Sequence, residues 1–110
     1  MKIKPGSYPN SINLSSKGPT PVAIFGSGTF DVHQINLNSI TLAGASIKSK
    51  KNGQLITSYK DINNDGIIDV IIHIATENLQ LTVNDVKADL RGFLFDDREI
   101  RASDSVRVVQ

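Results

Sequence analysis

The chain contains neither cysteine nor tryptophan. Without cysteine it has no disulfides, no thiol nucleophile and no thiolate ligands for a metal ion. Aromatic side chains of every kind make up only 5% of the 110 residues. Carbohydrate-binding surfaces usually stack sugar rings on exposed aromatic side chains. The composition therefore excludes thiol chemistry and counts against a strong sugar-binding platform.

An excess of charge of one sign is also missing. Twelve basic and eleven acidic residues give a net charge of +1 at pH 7, so we expect no broad basic face and no nucleic-acid partner. No apolar run approaches the roughly 20 residues that a membrane span needs, so we expect no membrane span. Residues 2–11, KIKPGSYPNS, lack the apolar core of a signal peptide. The chain is expected to be either cytosolic or a piece of a longer secreted protein.

The remaining composition is that of an ordinary globular protein. Hydrophobic residues make up 39% and charged residues 21% of the chain, which argues against disorder. A chain of 110 residues can bury one hydrophobic core and is too short for two domains. We predict a single domain that spans residues 1–110.

Short runs rich in Ile, Val, Thr and Leu recur along the chain, with turn residues between them about every 8–12 positions. Helical periodicity is weak everywhere, although residues 29–39 could hold one short helical turn. The pattern predicts an all-β fold, an antiparallel β-sandwich, with central strands near residues 67–75 and 86–94. Residues 21–26 and 70–75 are expected to be mostly buried. The candidate strands are residues 11–14, 21–26, 39–44, 54–60, 67–75, 79–83, 86–95 and 105–110.

Residues 61–69, DINNDGIID, concentrate three aspartates and two asparagines beside an apolar run. Counted from the first aspartate, the spacing of a cation-binding loop appears at positions 1, 3, 5 and 9, with Gly66 at position 6 for the sharp turn. Ca²⁺ takes about 6–8 oxygen ligands, and hard oxygens favour it over zinc or copper. The predicted calcium ligands are Asp61, Asn63, Asp65, the backbone carbonyl of Ile67, and Asp69.

The loop differs from an EF-hand in two respects. Position 12 is Ile72 where an EF-hand has a bidentate glutamate, and both flanks have the composition of strands. Asp69 is therefore the best candidate for the closing carboxylate. The alternative is an Asp- and Asn-rich hairpin without a metal ion.

Within this loop the chain resembles the D-x-[DN]-x-D-G-x-x-D loops that lie between strands in FG-GAP repeats. One copy is present, so a propeller of such repeats is not expected. Residues 3–45, 79–92 and 103–109, taken with the loop, resemble a domain that recurs in large secreted bacterial and archaeal proteins, often toward the C-terminal end of hydrolases and surface proteins. This resemblance implies an extracellular or cell-surface accessory domain that is β-rich and binds calcium.

Candidate catalytic groups are few. Neither histidine, His33 or His73, has an evident nucleophile partner, and G-S-G at residues 26–28 is not a nucleophile elbow. The acidic residues Asp96, Asp97 and Glu99 would suit a small glycosidase only if they flanked a cleft, and a solvated turn is the simpler interpretation. We therefore predict no catalytic residue and no enzymatic activity. Three further aspartates could add ligands to the loop or form a second site: Asp85, Asp89 and Asp104.

The sequence is compatible with two functions. The first is a calcium-stabilised structural or interaction module, whose partners are other domains or other copies of the protein, joined through β edges. The alternative is a carbohydrate-binding module that serves an attached secreted hydrolase, with a polysaccharide as partner.

Overall fold

In the computed structural model, which describes residues 1–109, almost every regular element is a strand. Ten strands and two single 3₁₀ turns, Val32–Gln34 and Thr76–Asn78, follow one another along the chain. The strands are β1 Lys2–Ile3, β2 Ser11–Asn13, β3 Thr20–Ile24, β4 Ile35–Leu42, β5 Ala45–Ser46, β6 Thr57–Lys60, β7 Asp69–Ile74, β8 Lys87–Leu94, β9 Glu99–Ser105 and β10 Arg107–Val109. The all-β prediction is confirmed. The short helical turn expected within residues 29–39 is the first of the two 3₁₀ turns.

Two four-stranded antiparallel sheets pack face to face as a β-sandwich. Their strand orders are β1-β3-β7-β6 and β5-β4-β8-β9. The strands β7 and β8 are both internal, as predicted from the evenly spaced pattern of strand-forming runs. Every residue of 21–26 and of 70–75 is buried or half-buried, which confirms the expectation for these two runs.

The core lies between the sheets because strand residues alternate between faces. In β7, Val70, Ile72 and Ile74 are fully buried, whereas Ile71 and His73 on the other face are only half-buried. In β8, every second residue from Ala88 to Leu94 is buried. Burial of each large aliphatic side chain contributes about 1.5–3 kcal/mol, so the aliphatic core is the main source of stability.

Two longer runs were assigned wrongly, and the two-residue strands β1 and β5 were not predicted. Residues 79–83 form no strand, although Leu79 is buried. Outside the adjoining 3₁₀ turn, a single backbone hydrogen bond connects this run to a neighbouring segment, from Gln80 N to Ala43 O at 2.8 Å. The other error is β9, which the composition of residues 99–105 did not reveal because its outward side chains are polar and its inward ones small or half-buried. Gln110, the end of the expected strand 105–110, lies outside the described residues.

A third, two-stranded sheet joins the two ends of the described chain. The strands β2 and β10 pair in parallel, with Ser11 opposite Arg107. The buried side chain of Asn10 supports this pairing by donating to Asp104 Oδ2 at 2.9 Å and to the Ser105 carbonyl at 2.7 Å. Asp104 Oδ2 also accepts from the Ile3 amide at 2.9 Å. The polar cluster therefore ties the first strands to the last ones.

Neither of the two helical turns within residues 1–109 has the length or the apolar character needed to cross a lipid bilayer.

Candidate metal centre

The acidic loop, residues 61–68, connects β6 to β7 in an antiparallel hairpin. Lys60 and Asp69 form the last strand pair before the loop, so the hairpin closes directly beneath it. The chain can reverse here because Asn64 and Gly66 adopt left-handed backbone conformations, with φ of 59° and 82°. The predicted turn at Gly66 is present, and strands flank the loop on both sides, as predicted.

Three carboxylates converge in this loop. Asp61, Asp65 and Asp69 each offer one oxygen, and the three oxygens lie within 4.8 Å of one another. Ligands on one Ca²⁺ lie about 2.3–2.6 Å from the ion, so two of them can be up to about 5 Å apart. The cluster therefore has the size to share one cation. Among residues 1–109 it is the only group of three or more acidic, histidine or cysteine side chains with such spacing.

The side chain of Asn63 faces two of these carboxylates. With its amide nitrogen turned toward them, it donates to Asp65 Oδ1 at 2.9 Å and to Asp61 Oδ1 at 3.1 Å. With the amide reversed, an oxygen takes that place and faces only acceptors, which is favourable only when a cation lies among them. The same side chain thus fits both a metal-free loop, by donating, and a loaded one, by coordinating.

Backbone amides hold the exposed part of the loop in shape. Asp61 accepts from the amides of Gly66 at 2.8 Å and Asp65 at 3.3 Å, and Asp65 accepts from the Ile67 amide at 2.9 Å. These bonds partly offset the repulsion between the carboxylates. Each carboxylate oxygen has a second lone pair, so the bonds leave acceptor capacity for a cation.

Asp69 has a second role beneath the loop. Its side chain is fully buried and bonds at 2.9 Å through each oxygen, Oδ1 to the Gly26 amide and Oδ2 to the Ile62 amide. It therefore links the loop to the end of β3 as well as facing the other two carboxylates. Burial of a carboxylate is tolerated here because both of its oxygens are hydrogen-bonded.

Gly26 is the residue of this site that sequence reasoning missed. A Cβ atom there would lie 2.4 Å from the Ile68 carbonyl oxygen and 3.0 Å from the Ile67 side chain. Only glycine lets the loop lie directly against the end of β3. A signal for it was present in G-S-G at residues 26–28, which forms the expected turn after a strand, with Ser27 paired to Phe30.

The remaining predicted ligand is the Ile67 carbonyl, and its coordination of calcium stays a prediction. Ile67 itself is half-buried within the loop. The three further aspartates considered as extra ligands lie elsewhere. Asp85 accepts from the Thr82 amide at 2.7 Å, Asp89 lies 3.9 Å from the Lys87 ammonium, and Asp104 belongs to the cluster that ties the chain ends together. None of the three joins the loop.

Both histidines are accounted for by local contacts. His33 stacks on Tyr59, with ring centroids 4.5 Å apart, and its Nδ1 lies 2.8 Å from Asp31 Oδ1. The His33 amide, and next its imidazole, hydrogen-bond Asp31 and hold the pKa of that carboxyl below its ordinary value. His73 lies half-buried on the outer face of its sheet, with Nδ1 3.3 Å from the Ile56 carbonyl oxygen.

The second acidic cluster lies at the exposed turn between β8 and β9. Asp96 bonds the Arg98 amide and guanidinium, and the amide is the larger cause of its lowered pKa. Glu99 pairs with Arg101 on the same strand, and Asp97 has a left-handed backbone at the tip of the turn. All of these side chains are exposed. The carboxylates therefore occupy a solvated turn, as expected.

Comparison with protein-family models, curated proteins and solved structures gives no match for this chain. The resemblance to a secreted accessory domain stays a prediction based on the sequence.

Proposed function

We propose that this domain is a non-catalytic, calcium-stabilised structural module of an extracellular protein. The observation that carries the proposal is the convergence of three carboxylate oxygens within 4.8 Å in the loop between β6 and β7. Holding three like charges this close costs free energy in the absence of a cation and becomes favourable with one.

The donor set supports calcium as the cation. All candidate ligands are carboxylate, amide or carbonyl oxygens, which suit Ca²⁺, Mg²⁺ or Mn²⁺ rather than zinc or copper. Mg²⁺ requires near-octahedral geometry at about 2.0–2.1 Å and keeps several water ligands, whereas Ca²⁺ accepts irregular sets of oxygens from a loop. Extracellular calcium modules bind with dissociation constants of about 0.1–1 mM, which is compatible with a loop of three carboxylates.

A structural role is supported by how the carboxylates are engaged. Asp69 uses both oxygens to link the loop to the end of β3, and Asp61 accepts two backbone amides. Groups fixed in this manner hold a cation and a fold together more readily than they move protons. The extracellular location follows from the resemblance to secreted accessory domains, and it belongs to the proposal.

Thermal melting with calcium and with a chelator tests the proposal. A ligand that binds only the folded state stabilises it by about 2.7 kcal/mol at 100 times its dissociation constant, which for a domain of this size raises the melting temperature by about 10 °C. Asp65→Asn should lose most of that gain, because it removes a charge while keeping the acceptor for the Ile67 amide. Asp97→Asn, at an exposed turn, is the matched control and should keep it.

Equal melting temperatures with calcium and with chelator would refute the calcium site. An Asp65→Asn variant that gains as much from calcium as the wild type would do the same. Mg²⁺ in place of Ca²⁺ should give a clearly smaller shift.

The alternative function is a carbohydrate-binding module, and one observation favours it. Tyr59 and His33 form a stacked aromatic pair, both partly exposed, and Asp31 beside them could accept bonds from sugar hydroxyls. Sedimentation with a panel of insoluble polysaccharides tests this function. Saturable binding that Tyr59→Ala abolishes would support it, and no binding to any polysaccharide would exclude it for that panel.

A further inference from the structure

The strand β9 forms the longest edge of the sandwich. It is seven residues long and lies at the end of the sheet β5-β4-β8-β9, whereas the other edge strands of the two large sheets, β1, β5 and β6, have two, two and four residues. Its pairing with β8 runs without a register shift from Ser105 to Glu99. Neither a proline nor a bulge interrupts β9, so these two devices against edge pairing are absent from it, whereas charged side chains are present at Glu99, Arg101 and Asp104.

The outward backbone groups of β9 are available for pairing. The backbone of β9 and its flanking residues is bonded to β8 and its flanks by Leu94 N to Arg98 O and by Val106 N to Val86 O. The backbone N–H and C=O groups of the even-numbered residues in this segment therefore point toward β8. Alternation then directs the backbone groups of Glu99, Arg101 and Ser103 away from β8. No hydrogen bond within residues 1–109 reaches the backbone groups of these three residues from the open side. Farther along, Asn10 covers the Ser105 carbonyl, so the free edge is confined to the first five residues of β9.

The inner face of β9 is incompletely covered. Ile100 and Ala102 are half-buried, and a cleft of about 390 Å³ separates them from Ile24, Phe25 and Phe30. The cleft exists because β1, the nearest strand of the opposite sheet, has only two residues to cover seven. Apolar surface and open backbone groups therefore occur together along this edge.

We propose that two copies of this domain pair through their β9 edges, antiparallel, with Ile100 of one copy opposite Ile100 of the other. This inference rests on the proposed function, because it names the partner of the structural module as a second copy of the chain. In this register Glu99 of each copy lies opposite Arg101 of the other, and these two pairs exchange backbone hydrogen bonds. The two isoleucines approach each other on the inner face, beside the cleft.

Charge selects this register. A shift that places Arg101 opposite Arg101 of the second copy sets like charges side by side. Arg101 already has a like-charged neighbour, because Arg91 is its direct cross-strand partner on β8. Arg91 has no ion pair among residues 1–109. Glu99 of the second copy would place an acidic group on the open side of Arg101 and relieve this repulsion.

The absence of cysteine permits a direct test by single-cysteine cross-linking under mild oxidation, with calcium present. Opposed residues of a non-hydrogen-bonded antiparallel pair have Cα atoms about 4.5 Å apart, within the range of a disulfide. Ile100→Cys should form a disulfide-linked dimer at least about tenfold faster than Ser58→Cys, which places an exposed cysteine on the edge strand β6. A rate for Ile100→Cys no higher than that of the control overturns the proposal.

Charge reversal gives an independent test by sedimentation velocity over a range of concentrations. Arg101→Glu alone and Glu99→Arg alone each make the edge repel itself and should weaken association by about tenfold or more. A mixture of the two variants restores both opposite-charge pairs and should restore the dimer. A wild-type protein that stays monomeric at every concentration, or a mixture that stays monomeric, overturns the proposal.

Failure of this inference is distinguishable from failure of the calcium proposal. Arg101→Glu lies outside the acidic loop, so its melting temperature should rise with calcium as much as that of the wild type. A monomeric wild type that still gains from calcium overturns the β9 dimer alone. A protein that dimerises through β9 but gains nothing from calcium overturns the calcium site alone.

Discussion

Replacing Gly26 by alanine should destabilise the domain, chiefly through its closest contact. The added Cβ would lie 2.4 Å from the Ile68 carbonyl oxygen, whereas ordinary contacts begin at 3.4 Å. The neighbour is backbone, so it cannot rotate away as a long side chain would. The loop must either accept overpacking, at a cost of about 1–3 kcal/mol, or move away from the end of β3.

Moving away carries a cost of its own. The Gly26 amide donates to Asp69 Oδ1 at 2.9 Å, and a hydrogen bond to a charged group contributes about 1.5–3 kcal/mol. Alanine also lowers the conformational entropy of the unfolded chain, which adds about 0.4–1 kcal/mol to the free energy of unfolding. The expected net loss is about 2 kcal/mol, or a fall of about 10 °C in melting temperature. Because Asp69 is also a proposed ligand, the dissociation constant for calcium should rise as well.

Denaturant unfolding with and without calcium measures both effects. Gly28→Ala is the matched control: it lies two residues away, and a Cβ there meets no atom within 4 Å. That variant should be as stable as the wild type or slightly more stable. If the two alanine variants have the same free energy of unfolding, the loop does not approach Gly26 as closely as the structure shows.

Two further predictions concern other parts of the chain. Asp104→Ala should lower the free energy of unfolding by about 2–3 kcal/mol in a denaturant titration, because it leaves the Ile3 amide and one Asn10 bond without an acceptor; a loss below 0.5 kcal/mol would contradict the role of this cluster. His33→Ala should raise the pKa of Asp31 only part of the way to 3.8, because the backbone amide, which is the larger cause, remains. Folding lowers this pKa, so the pair stabilises the domain at neutral pH and loses its effect as the pH falls through the folded value, below 3.8. An NMR titration of the Asp31 carboxyl in both proteins measures this pKa. An unchanged pKa in the variant would contradict the hydrogen bond between the His33 and Asp31 side chains.

The parts of the fold that the sequence predicted are those in which the local pattern reports burial. Apart from Thr20 and Asp69, the buried residues of the runs that became β3, β7 and β8 are apolar. Residues 79–83 have the same alternation and yet form no strand, because a strand also needs a neighbour with which to pair. The parallel pairing of β2 with β10 joins residues about a hundred positions apart, and no local pattern reports such a contact.

The same distinction applies to the candidate site. Asp61, Asn63 and Asp65 are close in sequence, so their spacing alone indicated that their oxygens could meet. The contact of Asp69 with Gly26 spans 43 positions and depends on how β3 and β7 pair. The sequence shows that residue 26 is glycine. It does not show why glycine is needed there, which is that a backbone oxygen occupies the space of a side chain.

Asp69 determines how calcium binding would couple to folding. It is the first residue of β7, pairs with Lys60 in the sheet, and faces the loop carboxylates from a fully buried position. A cation held by this carboxylate stabilises the sheet itself and not only an exposed loop, so its binding free energy appears as global stability. Variants in the exposed half of the loop, such as Asp65→Asn, should change calcium affinity while the calcium-free stability is kept. Variants at Gly26 should change both, because they displace the residue that the loop and the core share.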